Sequence, residues 1–112
     1  MTSHLCLTLL VPWHAEERVI DFLLSHDDAG IEFSMHSVAA RGPLVRMDRG
    51  GERVLGCASR VEVKLILSQP VFNELIAPLN ALLSGVDGGY WVTPIARFGP
   101  FDARMSAQAV AA

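Results

Sequence analysis

Cysteine is scarce in this chain: Cys6 and Cys57 are the only two in 112 residues, and neither belongs to a Cys-x-x-Cys pair. This excludes the disulfide framework that holds many small secreted domains together, and both thiols are expected to be reduced. No basic segment precedes the apolar run near the N-terminus, so the sequence predicts no signal peptide. A cytoplasmic protein is expected.

Long apolar runs and catalytic motifs are also lacking. The longest uncharged stretches, such as "LIAPLNALLSGV", fall short of the roughly 20 residues that a membrane span needs. The sequence contains no Gly-x-Ser-x-Gly, no His-Glu-x-x-His and no Gly-Lys-Ser/Thr phosphate loop, which are motifs that would assign a nucleophile, a zinc site or a nucleotide site. We therefore expect a protein that is not an enzyme.

Positive charge is sparse overall but concentrated in one segment. The net charge is −3, yet residues 41–60 hold five of the arginines, namely Arg41, Arg46, Arg49, Arg53 and Arg60. A basic island on an acidic protein favours a small anionic ligand or a local partner surface. General nucleic-acid binding would need a wider basic footprint, so no nucleic-acid partner is expected.

Hydrophobic periodicity predicts six elements. Alternating apolar residues indicate strands at 4–11, 31–38, 60–67 and 90–98, and helical spacing indicates helices at 14–25 and 70–84. Pro78 is expected to kink the second helix, because it lacks an amide hydrogen and crowds the preceding turn.

The order of strand, helix, strand, strand, helix and strand predicts the α+β ferredoxin-like fold βαββαβ, a four-stranded antiparallel sheet with both helices on one face. Residues 1–100 would form this domain, and residues 101–112 a tail. The other face would carry seven residues of mixed character, which suits packing between the sheets of subunits or a solvated surface: Cys6, Thr8, Leu10, Arg60, Glu62, Lys64 and Ile66.

Residues 39–59 form a predicted loop that is too long to be a simple connection, so it is expected to be functional or disordered. The guanidinium groups of Arg41, Arg46, Arg49 and Arg53 offer bidentate hydrogen bonds to a carboxylate or phosphate. A solvated flexible loop fits the same composition, and both interpretations stay open.

A metal site is a further hypothesis. His4 and Cys6 are two residues apart on one strand face, and His36 is predicted on the same side of the sheet. Imidazole and thiolate suit copper or zinc. Single histidines are more often ordinary surface residues, so this interpretation also has an alternative.

The run "SGVDGGYWVTPI", together with the long loop, resembles the PII signal-transduction proteins, whose segment reads Gly-Asp-Gly-Lys-Ile-Phe-Val-x-Pro-Val. Asp87 and Gly88 match the turn, and Pro94 and Ile95 match the final Pro-Val. The strand "YWVTP" is more similar to a small uncharacterised PII-like family that is often encoded beside heavy-metal efflux pumps. The resemblance implies a trimer and a ligand site at the turn of Gly88 and Gly89.

Two departures from the PII pattern affect that site. Gly89 stands where PII proteins have a lysine that engages nucleotide phosphate, so tight ATP binding is not expected unless Arg41 or Arg97 replaces it. The long loop has no tyrosine, which argues against nucleotidylation there.

The leading functional hypothesis is a PII-like regulatory protein that senses a small anionic ligand, or that acts on a heavy-metal efflux or other membrane transporter through its arginine-rich loop. The alternative is a divalent-metal or copper tolerance protein resembling CutA.

Overall fold

The computed structural model describes residues 3–26, 30–46 and 56–102. Along the chain these residues form strand β1 (His4–Val11), a short 3-10 turn (Trp13–Ala15), helix α1 (Glu16–Leu24), strand β2 (Glu32–Ala40), strand β3 (Ala58–Ser68), helix α2 (Gln69–Leu82) and strand β4 (Gly89–Ile95). This is the predicted element order.

The strands of the described residues form one four-stranded sheet in the order β2-β3-β1-β4. Every neighbouring pair is antiparallel. The two strand-helix-strand units therefore place β1 and β3 side by side at the centre, where both strands are apolar and long. The predicted ferredoxin-like α+β fold is confirmed.

Both helices pack on the same face of the sheet. The inward residues of β1 alternate as Leu5, Leu7, Leu9 and Val11, and they meet Val61, Val63, Leu65 and Leu67 of β3 in one buried cluster. The helices add Val19 and Leu23 from α1, and Leu75 and Leu79 from α2. This period-2 and helical spacing is what the sequence displays, because the hydrophobic effect requires each element to bury its apolar side.

The ends of several elements differ from the prediction. Strand β2 continues to Ala40 and β3 begins at Ala58, because the two strands stay paired as far as Ala40 and Ala58. The connection is therefore 41–57 rather than 39–59, and residues 47–55 lie outside the described residues. Strand β4 ends at Ile95, three residues before the predicted end. Helix α2 begins at Gln69, and the side chain of the preceding residue, Ser68, caps it by accepting a hydrogen bond from the Val71 amide.

The second face of the sheet carries the predicted residues but is not uniformly open. Cys6, Thr8 and Leu10 lie directly beside Ile66, Lys64 and Glu62 respectively, so all six share this face. Thr8, Leu10 and Arg60 are nevertheless buried. We call this surface the open face.

Two of these three residues have close neighbours on the adjacent strands or in the turn. Thr8 lies between the long side chains of Lys64 and Trp91 on the neighbouring strands. At Leu10, the turn before β4 passes so close that a Cβ on Gly88 would run into the Leu10 carbonyl oxygen. The prediction missed this close approach, because alternation identifies the face of a residue and not what lies above it.

The close approach at Gly88 gives a test with an internal control. Gly42 and Gly88 have the same φ of 147°, but only Gly88 has neighbouring backbone where a Cβ would stand. We expect Gly42→Ala to cost about 1 kcal/mol of unfolding free energy from backbone strain alone, and Gly88→Ala to cost about 3 kcal/mol or more because the backbone must also shift. Equal losses in urea unfolding would contradict the close contact.

Candidate functional site

The two ends of the sheet carry different groups of the predicted site residues. Strand β2 ends, and strands β3 and β4 begin, at one end of the sheet, which we call the loop end. Arg41, Arg46, Gly88 and Gly89 lie there. Arg49 and Arg53, also predicted ligand residues, are outside the described residues.

An ion pair organises the loop end. The Arg60 Nη2 atom donates to the Asp87 Oδ2 atom at 2.8 Å. The side chain of Arg60 is 8% exposed and that of Asp87 25% exposed, so the pair is largely withdrawn from water. Hydrogen bonds between charged groups in such surroundings are stronger than surface ion pairs. The pair joins the start of β3 to the turn before β4.

The same pair also binds the first part of the 41–57 connection. The Arg46 amide donates to Asp87 Oδ2 at 2.8 Å, and the Arg46 carbonyl oxygen accepts from Arg60 Nη2 at 2.6 Å. Arg60 Nη1 donates to the Ser59 carbonyl at 2.8 Å. The backbone of Arg46 is thus held by both members of the ion pair, while its own side chain is exposed.

The glycine turn is covered from the open face by Leu44. A Cβ placed on Gly89 would lie 2.8 Å from both terminal methyl carbons of the Leu44 side chain. Glycine is thus the residue that leaves room for Leu44 here. The position that matches the phosphate-binding lysine of PII proteins is therefore occupied on its open-face side by an aliphatic side chain.

Arg41 lies beside this arrangement without joining the ion pair in the contacts described above. Its side chain is exposed, and its Nη1 atom would be 3.5 Å from a Cβ on Gly56. The guanidinium therefore lies near Gly56, at the C-terminal end of the 41–57 connection. It remains available to solvent at the loop end.

The pKa of Asp87 reflects its partners. Burial acts to raise the pKa of this carboxyl. The hydrogen bonds from the Arg46 amide and the Arg60 guanidinium, together with the charges of Arg60 and Arg46, lower the pKa by more than burial raises it. The net result is a pKa below the ordinary value of an aspartate. Asp87 is therefore an anion at neutral pH.

A cavity lies on the other side of the glycine turn, towards the helices. Its volume is about 300 Å³, and its walls include Leu9, Leu79, Leu83 and Val86, with Tyr90 at the β4 side. The lining is mainly aliphatic, so it does not suit an anion. The charged part of the loop end is on the open face instead.

The sequence-based prediction placed Arg97 at the ligand site beside the glycine turn, but the strand register places it far from that turn. Gly89 pairs with Leu10 at one end of β4, and Ile95 pairs with His4 at the other. Ile95 is six residue steps along the strand from Gly89, about 20 Å at the usual rise. Arg97 follows Ile95, so within one chain it cannot replace the lysine that PII proteins have at the turn.

The three predicted metal ligands are also separated. Cys6 is level with Glu32 on β2 through Ile66, whereas His36 lies four residues further along, about 13 Å by strand rise alone. His36 instead contacts Glu62 at 3.4 Å, and the ring of His4 lies 5.0 Å from that of Phe98. The described residues contain no group of three or more His, Cys, Asp or Glu side chains that could hold a metal ion.

The sequence predicts Arg60 in the basic segment and on the open face, and Asp87 in the turn, but it does not predict that these residues pair, because they are 27 positions apart. No sequence pattern points to Leu44. A weak signal existed, since Asp87 is the acid nearest the glycine turn and an arginine at a buried strand position needs an anion.

Comparison with known proteins identifies the family. A family profile described as "Protein of unknown function (DUF3240)" matches residues 1–102. The chain belongs to the DUF3240 family. No curated protein matches it.

Solved structures support this DUF3240 assignment at the level of the fold. A DUF3240 family protein from Shewanella baltica has a TM-score of 0.70 at 15% identity, over 91% of this chain and 100% of that chain. GlnK of B. subtilis, a PII protein solved as an ATP complex, has a TM-score of 0.54 at 12% identity, over 84% of each chain. The PII-like fold inferred from the turn and final strand is therefore confirmed. In the described part of this DUF3240 protein, no helix is long and apolar enough to cross a membrane.

The lowered pKa of Asp87 predicts how stability depends on pH in this DUF3240 protein. The unfolded chain binds the proton more readily, so the contribution of Asp87 is complete above the ordinary aspartate pKa of about 3.9 and is lost as the pH falls through the lower folded value. We expect Asp87→Asn to cost about 2 kcal/mol near neutral pH. The gap from wild type should narrow below about pH 4.

Urea unfolding across this pH range measures the gap, with Asp21→Asn as the control, because Asp21 is an exposed carboxylate on α1. Asp21→Asn should change the unfolding free energy by less than about 0.5 kcal/mol. A gap for Asp87→Asn that stays constant or widens in acid would contradict the assigned role.

Proposed function

We propose that the protein is a PII-like, homotrimeric regulatory protein without enzymatic activity that senses a small anionic ligand at the loop end of its sheet. The observation that carries the proposal is that a fold like that of GlnK brings the Gly88–Gly89 turn, Arg41 and Arg46 to the same end of the sheet. GlnK was solved with ATP bound, and the turn that resembles the PII phosphate site is the point of comparison.

The chemistry of the loop end supports an anion, but not a tightly held triphosphate. Arg41 and Arg46 have exposed side chains, which suits bidentate recognition of a carboxylate or phosphate. Asp87 places a negative charge next to the turn, and Leu44 covers Gly89. A ligand with a high total negative charge meets repulsion from that carboxylate, so an anion that is smaller and carries less total charge than ATP fits better.

The edge strand β4 supports the trimer. Tyr90 is 47% exposed, Trp91 41% and Val92 41%, on a strand whose outer edge has no neighbour within the described sheet. Large exposed aromatic residues are enriched where protein surfaces meet. Of these three, Trp91 pairs with Thr8 and so shares the open face. That face combines half-buried Cys6 and Ile66 with the charges of Glu62 and Lys64, so subunit contact here would bury apolar and polar groups together.

The proposed partner follows from the family resemblance. The PII-like relatives with a similar final strand are often encoded beside heavy-metal efflux pumps, so a cytoplasmic regulator acting on such a membrane transporter is the partner that we propose. The 41–57 connection would be the contact segment. The CutA-like alternative has no observation in its favour, because the predicted ligands are separated in the described chain.

Calorimetric titration tests the ligand class. We expect ATP to bind more weakly than micromolar and inorganic pyrophosphate to bind measurably. One lost charge-assisted hydrogen bond costs about 1.5 to 3 kcal/mol, so Arg41→Ala and Arg46→Ala should each weaken pyrophosphate binding by about tenfold to a hundredfold. Arg18→Ala is the matched control, because Arg18 is exposed on α1.

Two results would contradict the proposal. One is micromolar or tighter ATP binding that survives replacement of Arg41, Arg46, Arg49 and Arg53 by alanine. The other is a stable monomer at micromolar concentration in native mass spectrometry, which reports the oligomer and any retained ligand in a single measurement.

A further inference from the structure

We propose that Asp87, Arg60 and Leu44 form a latch that closes the anion site of the ligand-free protein. The inference rests on the proposed function, because it concerns the regulation of that same site. In the closed state, an anion supplied by the chain itself occupies Arg60, and an apolar side chain covers the glycine turn.

The first part of the latch is the carboxylate. Among the described arginines of the loop end, Arg60 is the buried one: its side chain is 8% exposed and its Nη2 atom lies 2.8 Å from Asp87. Asp87 is the more exposed partner at 25%. An incoming anion therefore meets the carboxylate before it reaches the guanidinium, and it must compete with Asp87 for the same donor.

The second part is the covering segment 42–46. Its chain reverses at a turn closed by the hydrogen bond from the Val45 amide to the Gly42 carbonyl at 3.0 Å. This turn places Leu44 against Gly89 so closely that a single added carbon would lie 2.8 Å from the leucine methyls. A phosphate oxygen has no room there until Leu44 moves.

The two parts are coupled through one backbone amide. Asp87 accepts from the Arg46 amide and from Arg60 through the same oxygen. An anion that takes Arg60 from Asp87 therefore weakens the attachment of Arg46, and Leu44 lies two residues away on the segment that is released. Ligand binding would then shift segment 42–46 from a closed to an open state, because the open state has the higher affinity for the ligand.

The consequence for affinity is quantitative. A site that is available only when the latch opens binds with an apparent affinity reduced by the open fraction, so a latch closed about nine-tenths of the time weakens binding by about tenfold. Variants that open the latch should recover that factor. This is the opposite of the effect expected from losing a ligand contact.

The test compares Asp87→Asn and Leu44→Ala with Asp21→Asn and wild type, using inorganic pyrophosphate as the probe in calorimetry. Leu44→Ala changes no charge, so a gain in affinity there cannot come from reduced repulsion. Asp21→Asn removes the same charge from the exposed surface of α1. The hydrogen-exchange rate of the Arg46 amide measures how often the latch opens in the absence of ligand. The Ala15 amide, which donates to the Pro12 carbonyl away from the latch, is the reference.

We expect pyrophosphate affinity to rise by about five- to tenfold in both latch variants and not in Asp21→Asn. Exchange of the Arg46 amide should become faster in Asp87→Asn, while that of Ala15 stays the same. If wild type binds and the latch variants bind no more tightly, the latch is overturned and the proposed function stands.

Two other results separate the remaining possibilities. Unchanged exchange of the Arg46 amide in Asp87→Asn would overturn the latch by itself. Faster exchange with no pyrophosphate binding in any of the proteins would overturn the proposed function, and with it the gating role of the latch.

Discussion

The ion pair of Arg60 and Asp87 is the interaction on which the loop end depends. It joins three segments that are far apart in sequence: the start of β3, the first part of the 41–57 connection and the turn before β4. A buried arginine without an anion is costly, and so is a partly buried aspartate without donors. Each therefore stabilises the other, and the Arg46 backbone is held because it bonds to both.

The glycine turn follows from this constraint. With Asp87 fixed towards Arg60, the next residues pass close to the backbone of β1, and Gly88 is the residue without a side chain at the point of contact. Gly89 then leaves space for Leu44. A turn that resembles a phosphate site thus has an acid on one side and an aliphatic side chain above it. The proposed function requires these groups to move, which is why a regulated site explains the arrangement better than a permanently open one.

The fold was predictable from sequence because it depends on local periodicity. Leu5, Leu7, Leu9 and Val11 repeat every second residue, and that repetition identifies a strand and its buried face without knowledge of any partner. The site was less predictable because it depends on contacts between distant segments. Alternation placed His36 on the same face as Cys6, but only the strand register shows that they lie on different rows. In the same way, the basic segment was visible, whereas the pairing of one of its arginines with Asp87 required the tertiary structure.

A double-mutant cycle on Arg60 and Asp87 tests this account most directly. Arg60→Met, Asp87→Asn and the double variant would be unfolded in urea, with the pair of Glu62 and Lys64 as the reference. That pair is longer, at 3.4 Å, and its cation is far more exposed, since the side chain of Lys64 is 48% exposed and that of Glu62 17%. We expect a coupling free energy of about 1.5 to 3 kcal/mol for Arg60 and Asp87, against less than about 1 kcal/mol for the reference pair. A coupling for Arg60 and Asp87 no larger than that of Glu62 and Lys64 would contradict the central role of the ion pair.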